Sequence, residues 1–262
     1  MNKTEAEKTL FETRQSYDAI AEKFSHTRHK PWPIMEKLVG QFVKAGQRVL
    51  DAGCGNGRLY QILKDKQVDY LGVDNSEKLI ELTKTTGGRF QVKDMLDLAF
   101  NQEFSAKGGP ASGWDIVFCL AVLNHLPSEE LRLKAMRNLA AALKPGGRLI
   151  MTNWNLWRLA RGKKTVWSAV VRSPETGVRR KVSSFWTLDF GLGTFKDVIT
   201  YFQDNTGKHP LYYRAFTLRE LKRLARLAGL EVEAAYYEKK GRRAHWWNGD
   251  NLVLIGRKRG YN

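Results

Sequence analysis

Apolar positions recur at two spacings along this chain. Leu10, Phe11, Tyr17, Ile20, Ala21 and Phe24 fall at helical intervals. A second helical stretch covers residues 34–43, so residues 10–44 read as a helical lid segment of two amphipathic helices. Residues 25–33 break it, because Pro31 and Pro33 each restrict the residue before them. Short apolar runs then take over. Val49 and Leu50 end one that suits a buried parallel strand. Residues 70–74, 89–94 and 114–121 supply three more, and a Pro-Gly-Gly turn leads into a fifth that ends at Met151. Helices are predicted near 58–63, over 75–84 and over 128–143, the last burying Leu131, Ala135, Leu139 and Leu143 on one face. Residues 155–206 have no clear period. Thr217 and Glu220 then form a capping box for a helix that ends near Gly229, and strands are predicted at 232–237 and 252–256. No internal repeat or low-complexity tract interrupts the series, which reads as one α/β domain over residues 1–262.

The junction after the first strand carries the clearest chemistry. Asp51 sits at the strand's carboxyl end, and Gly53, Gly55 and Gly57 follow at alternate positions. Glycines so spaced let the backbone turn sharply and let a ligand approach closely. Strand, glycine turn and helix make a nucleotide-type cofactor site. The spacing is G-x-G-x-G, which argues against a dinucleotide binder with G-x-G-x-x-G. The second strand also ends in an acid, Asp74, suited to both hydroxyls of a ribose, and the third ends in Asp94. The fourth runs into Asn124 and His125. This order of elements resembles the class I methyltransferases that use S-adenosyl-L-methionine, most clearly over residues 45–155. The resemblance implies a doubly wound, mostly parallel, seven-stranded sheet, its last helix and two strands supplied by residues 217–258, with a basic insertion.

Composition adds a partner. The chain has 262 residues and a formal net charge of +17. Uniform solubilising charge would be spread along the chain, whereas here it is concentrated. Arg158, Arg161, Lys163, Lys164, Arg172, Arg179, Arg180 and Lys181 face one acid, Glu175, between residues 158 and 181. A second basic series runs from Lys208 to Arg259 and includes Arg214, Arg242 and Arg243. Trp154, Trp157, Trp167, Trp186, Tyr212, Tyr213, Trp246 and Trp247 are interleaved with these charges. Basic side chains bind phosphates and flat ones stack on bases, so residues 155–210 read as a basic aromatic insertion that binds RNA. No apolar stretch approaches the 18 or so residues of a membrane span, and the first residues lack the apolar centre of a signal peptide. Two cysteines, Cys54 and Cys119, suggest neither a disulfide framework nor a metal site, so the default expectation is a reducing cytoplasmic setting.

A second resemblance is narrower. Tyr17 followed by Ser25, Thr27, Arg28, Lys30, Pro31, Trp32 and Pro33 is similar to the amino-terminal segment of the tRNA wobble-uridine carboxymethyl methyltransferases. Residues 121–125, the region of Asn153 and Trp154, and Tyr212 with Tyr213 extend it. These enzymes methyl-esterify a carboxymethyl group on uridine, and eukaryotic members work with a small activator protein. The family has two histidines where this chain has Asn124 and His125.

The resemblance implies roles. Asp51 would orient the methionine amine of the cofactor, Gly53 and Gly55 would admit its amino-acid part, and Asp74 with Asn75 would hold the ribose. Asp94 would meet the adenine amino group, Met95 would pack near the ring, and the backbone at Leu120 and Ala121 would face the amine. Arg28 would pair with a carboxylate of cofactor or substrate, Tyr17 would close over the sulfonium, and Trp32 would line the site or simply anchor the loop. His125, Arg28 and Arg214 are the candidates for positioning the acceptor, with Asn124 beside them. Arg179, Arg180, Lys181, Lys163, Lys164 and Arg214 would meet RNA. The alternatives are a small-molecule methyltransferase acting on a quinone, lipid or acid, and a non-catalytic RNA-binding protein.

Overall fold

A computed structural model of the chain describes residues 2–28, 30–97, 113–158, 170–172, 179–181, 196–204 and 207–260. Helix α1 (Lys3–Thr27) is longer at both ends than its apolar pattern predicts. Asn2 caps it by accepting from the Glu5 N–H, so it starts before Leu10. It also runs through Ser25, and Thr27 returns its hydroxyl to the Lys23 carbonyl. Pro31 then excludes helical geometry at Lys30. Helix α2 (Pro33–Phe42) restarts with proline in its first turn, where the missing N–H costs nothing.

The main sheet comprises β1 (Arg48–Ala52), β2 (Asp69–Asp74), β3 (Phe90–Val92), β4 (Trp114–Leu120), β5 (Leu143–Trp154), β10 (Leu230–Lys239), β11 (Arg242–Ala244) and β12 (Asn251–Lys258). Its order is β11-β10-β12-β5-β4-β1-β2-β3. Strands β1 to β5 are parallel, and β12 runs antiparallel between β5 and β10. Alternation along each strand feeds two cores. Leu50, Val117, Cys119, Leu149, Met151, Leu252 and Leu254 face α5 (Glu129–Ala142) and α6 (Leu218–Leu227). Val49, Ile116, Phe118, Ile150, Val253 and Ile255 face α2 and the short α3 (Tyr60–Leu63). Successive side chains of a strand point to opposite faces, so these runs cover both sides of a doubly wound sheet. Side-chain caps start the later helices: Ser76 caps α4 (Glu77–Glu81), and Thr217 caps α6 as its capping box predicts.

The sheet has eight strands where seven were expected. The extra one, β11, arises because Lys240 and Gly241 both have positive φ, 49° and 79°, and turn β10 back on itself in a two-residue hairpin. A second difference lies in the aperiodic region. There β6 (Val170–Arg172), β7 (Arg179–Lys181), β8 (Asp197–Asp204) and β9 (Gly207–Arg214) form an antiparallel sheet in the order β7-β6-β8-β9. Strands β6 and β7, of three residues each, are too short for a period to register, and the eight-residue β8 and β9 do not alternate strictly between apolar and polar positions. The triplet Arg179–Lys181 is the edge strand of this sheet, and Lys163 and Lys164 lie outside the described residues. Strand β9 packs beside α1 and the short turn Leu123–His125, which brings the insertion to the carboxyl ends of β1 and β4. No helix among the described residues is long and apolar enough to cross a membrane.

Candidate active site

Strand order reverses between β1 and β4, and a cleft opens at their carboxyl ends, as expected for an open α/β sheet. It is lined from β1 and its loop by Asp51, Gly53, Gly55 and Arg58, and from β2 by Asp74 and Asn75. Asp94, Met95, Leu120, Ala121 and His125 complete its floor, while Tyr17, Arg28, Trp32, Trp154 and Tyr213 cover it. Every cofactor residue expected from sequence is therefore in one cleft. Gly53 is irreplaceable on steric grounds: its φ is +80°, and a Cβ there would lie 2.3 Å from Val122. Ala121 directly follows β4 with φ +59°, a strained geometry for alanine in the lining of the cleft.

Three polar groups in the cleft keep hydrogen-bonding capacity open to a ligand. Asp51 is 1% exposed; its Oδ2 accepts from the Tyr70 hydroxyl at 3.1 Å, but its Oδ1 has no partner. Burial pushes its carboxyl up to about 7. Arg58 is 7% exposed, and its Nε and Nη1 are also unpartnered. Its guanidinium lies over the Trp32 ring at 4.6 Å, and burial together with Arg28 pulls it down to about 10. A buried carboxylate and a buried guanidinium left open in one cleft match the ammonium and carboxylate of an amino acid. Asp74 is the third group. Its oxygens take the N–H groups of Gly55 and Ser76, both at 2.9 Å, with lone pairs to spare for a diol. Asp94 accepts from Leu96 N–H at 2.8 Å and from the Asn75 amide at 3.3 Å.

Arg58 is the residue that sequence reading missed. It directly follows Gly57, where only a helix start was read.

Beside Tyr17 in the cleft, His125 Nδ1 is 2.9 Å from the Tyr212 carbonyl, which can only accept, so Nδ1 carries the hydrogen. Nε2 then accepts from the Tyr17 hydroxyl at 3.0 Å. Tyr213 lies against the same pair, its ring centroid 4.6 Å from that of the imidazole. Burial lowers the imidazole to about 4, so His125 is neutral at pH 7.

Two site expectations are corrected. Asn124 is fully buried; it donates to the Arg214 carbonyl at 2.8 Å and accepts from Trp154 N–H at 3.1 Å. It ties β9 to β5 and does not line the cleft. Arg214 is 9% exposed and paired with Asp197 at 3.1 Å and Glu220 at 2.9 Å. A guanidinium so engaged is available neither to RNA nor to an acceptor carboxylate.

The model of a methyltransferase-domain family matches residues 24–235, most of the chain. The chain belongs to that family. Its sheet is that of the class I S-adenosylmethionine-dependent methyltransferases, and the open groups at Asp51, Arg58 and Asp74 fit that cofactor. A tRNA (carboxymethyluridine(34)-5-O)-methyltransferase of Arabidopsis thaliana is 35% identical over 138 residues, 53% of this chain and 31% of that protein. The enzyme of the same name in Schizosaccharomyces pombe is 31% identical over 142 residues, 54% of this chain and 57% of that one. This methyltransferase domain thus matches less than two thirds of either relative's length. Among solved structures, a chain of the complex between the Haloferax volcanii Trm112 methyltransferase activator and a protein assigned as a methyltransferase aligns with TM-score 0.58 and 17% identity. That alignment covers 93% of this chain and 97% of the other. It reports shared fold.

Proposed function

We propose that this methyltransferase transfers a methyl group from S-adenosyl-L-methionine to the carboxylate of a carboxymethyl-type wobble uridine in tRNA, forming a methyl ester. One observation carries the acceptor class: two guanidiniums, Arg28 and Arg58, line a cleft whose cofactor brings one carboxylate. Arg58 stands with Asp51 and takes the cofactor's carboxylate. Arg28, over the Phe24 ring at 4.5 Å and close to Tyr17 and Tyr213, is left for a second carboxylate. Asp74 and Asn75 hold the ribose, and Asp94 with Met95 holds the adenine. The names of the relatives and the +17 charge support tRNA as the bearer of that carboxylate. A small activator protein as partner belongs to the same reading, supported by the Haloferax complex.

The chemistry agrees with the side chains present. The cofactor supplies an electrophilic methyl on a cationic sulfur. A carboxylate is ionised at neutral pH, so no base is needed to make it nucleophilic. Both nitrogens of His125 are engaged, consistent with a positioning role. The acceptor oxygen gains the methyl, the electron pair of the broken bond stays on sulfur, and no proton moves. Opposite charges neutralise each other as the bond forms, so rate comes from alignment.

A methyl ester has a distinctive signature, since mild alkali releases its methyl as methanol. Radiolabelled cofactor with carboxymethyluridine-containing tRNA is expected to give alkali-labile label. Alkali-stable label in tRNA would reject ester formation. Label in a small acid or phenol, with none in tRNA, would reject the tRNA reading. The cofactor assignment has its own check. Hydrogen bonds to a charged group contribute about 1.5 to 3 kcal/mol each. Asp74→Ala, measured by calorimetry, is therefore expected to weaken cofactor binding at least about tenfold.

A further inference from the structure

The turn after β11 exposes aromatic rings that the cleft does not use. Trp246 is 41% exposed and Trp247 is 48% exposed, side by side at residues where burial would be the default. His245 stacks on Trp247 with ring centroids 4.4 Å apart and planes within 3°. Trp246 meets Trp247 edge-on at 5.9 Å. The result is a flat face with a perpendicular wall.

This turn is held from beneath. The buried Asn155 donates to the carbonyls of Trp246, at 2.8 Å, and Gly249, at 2.9 Å. Asn248 accepts the His245 N–H at 2.8 Å, and the Gly249 N–H returns to the His245 carbonyl at 2.8 Å. The buried Glu238 receives the Gly241 N–H and the Asn251 amide. Rings presented on a turn with this much internal bonding are pre-ordered, which lowers the entropic cost of using them.

Charge identifies the occupant. Residues 239–247 contain Lys239, Lys240, Arg242 and Arg243 and no acid. Lys240, Arg242 and Arg243 are all exposed, and the Arg243 guanidinium lies over the Tyr236 ring, 4.8 Å from its centroid. Cations beside open aromatic faces are the combination that binds a single strand, through phosphates and stacked bases. Position agrees. Asn155 directly follows Trp154, which lines the cleft, and the Gly241 carbonyl accepts at 2.8 Å from Lys37 of α2, the helix that starts directly after Trp32 of the same cleft.

We infer that His245, Trp246 and Trp247 form a stacking platform for an unpaired base of the RNA strand near the target nucleotide, with Arg242 and Arg243 on its phosphates. The inference rests on the tRNA reading above.

The test is a binding titration of the full chain with fluorescently labelled tRNA at several salt concentrations. Replacing Trp246 and Trp247 together with alanine is expected to weaken binding about tenfold or more while leaving the salt slope unchanged, because stacking releases no counterions. Trp247→Phe is expected to keep most of the affinity. Replacing Arg242 and Arg243 with alanine is expected to flatten the slope instead. Cofactor affinity equal to the parent in each variant certifies the fold. Parent-like tRNA affinity in the double tryptophan variant would overturn the platform and leave the tRNA reading standing. Absence of tRNA binding by the parent protein would overturn both. Loss of binding to anionic vesicles, with tRNA affinity intact, would reassign the rings to a membrane surface.

Discussion

Asp51→Asn is expected to stabilise the unliganded protein above pH 7 and at the same time to disable cofactor binding. The sign follows from burial. The folded carboxyl titrates near 7, well above its ordinary value near 4, so the folded state binds the proton more tightly than the unfolded chain does. Its contribution to stability is complete below pH 4 and declines as pH rises to about 7. Asparagine does not ionise, so the variant escapes that decline. The gap between the ordinary carboxyl value and about 7 corresponds to on the order of 4 kcal/mol at pH 8. Binding moves the other way, since the cofactor's ammonium needs the carboxylate. In the parent, cofactor affinity is expected to rise as pH passes through 7, and in the variant to be about a hundredfold weaker and flat with pH. Thermal melts of the unliganded proteins between pH 5 and 8, with calorimetry at the same values, measure both effects. A variant that is less stable than the parent at pH 8 would show that Asp51 does not titrate in this way.

The two arginines are expected to separate cleanly. Arg58→Met removes two unpartnered buried N–H donors, and each bond they make to a carboxylate is worth roughly 1.5 to 3 kcal/mol. Cofactor affinity is expected to fall about a hundredfold or more, while stability is retained or improved, because an unpaired buried charge is lost. Arg28→Met is expected to leave cofactor affinity within about threefold of the parent and to reduce kcat/KM for the carboxylate-bearing tRNA about a hundredfold. Calorimetry and single-turnover methyl transfer on both variants distinguish the roles. An Arg28 variant that loses cofactor affinity and an Arg58 variant that keeps it would exchange the assignments.

What could be read without coordinates was local. Asp51 and Asp74 each close an apolar run, while Asp94 lies two residues beyond the short β3; a strand that ends in an acid beside glycines announces itself in sequence. The cleft's lining follows because the parallel sheet gathers strand ends at one edge. Side chains whose meaning depends on distant partners were not legible. Arg58 reads as an ordinary helix residue until the burial of its nitrogens is known. Asn124 and Arg214 look chemical in a list of motifs, yet they bond one another's elements across 90 residues. The second sheet was not legible because β6 and β7 have three residues each and the eight-residue β8 and β9 do not alternate strictly between apolar and polar positions.

The chain of bonds from Tyr17 through His125 to Tyr212 spans 108 and then 87 positions of sequence. Contacts of such separation form late, since loop closure must precede them. Synthesis delivers Tyr17 first and Tyr212 almost two hundred residues afterwards. Strands β1 to β4, which gather the cofactor groups, have all emerged from a nascent chain long before β9 and its Tyr212. A growing polypeptide therefore carries Tyr17 and His125 for a further 87 residues before the Tyr212 carbonyl that fixes the imidazole's tautomer is made.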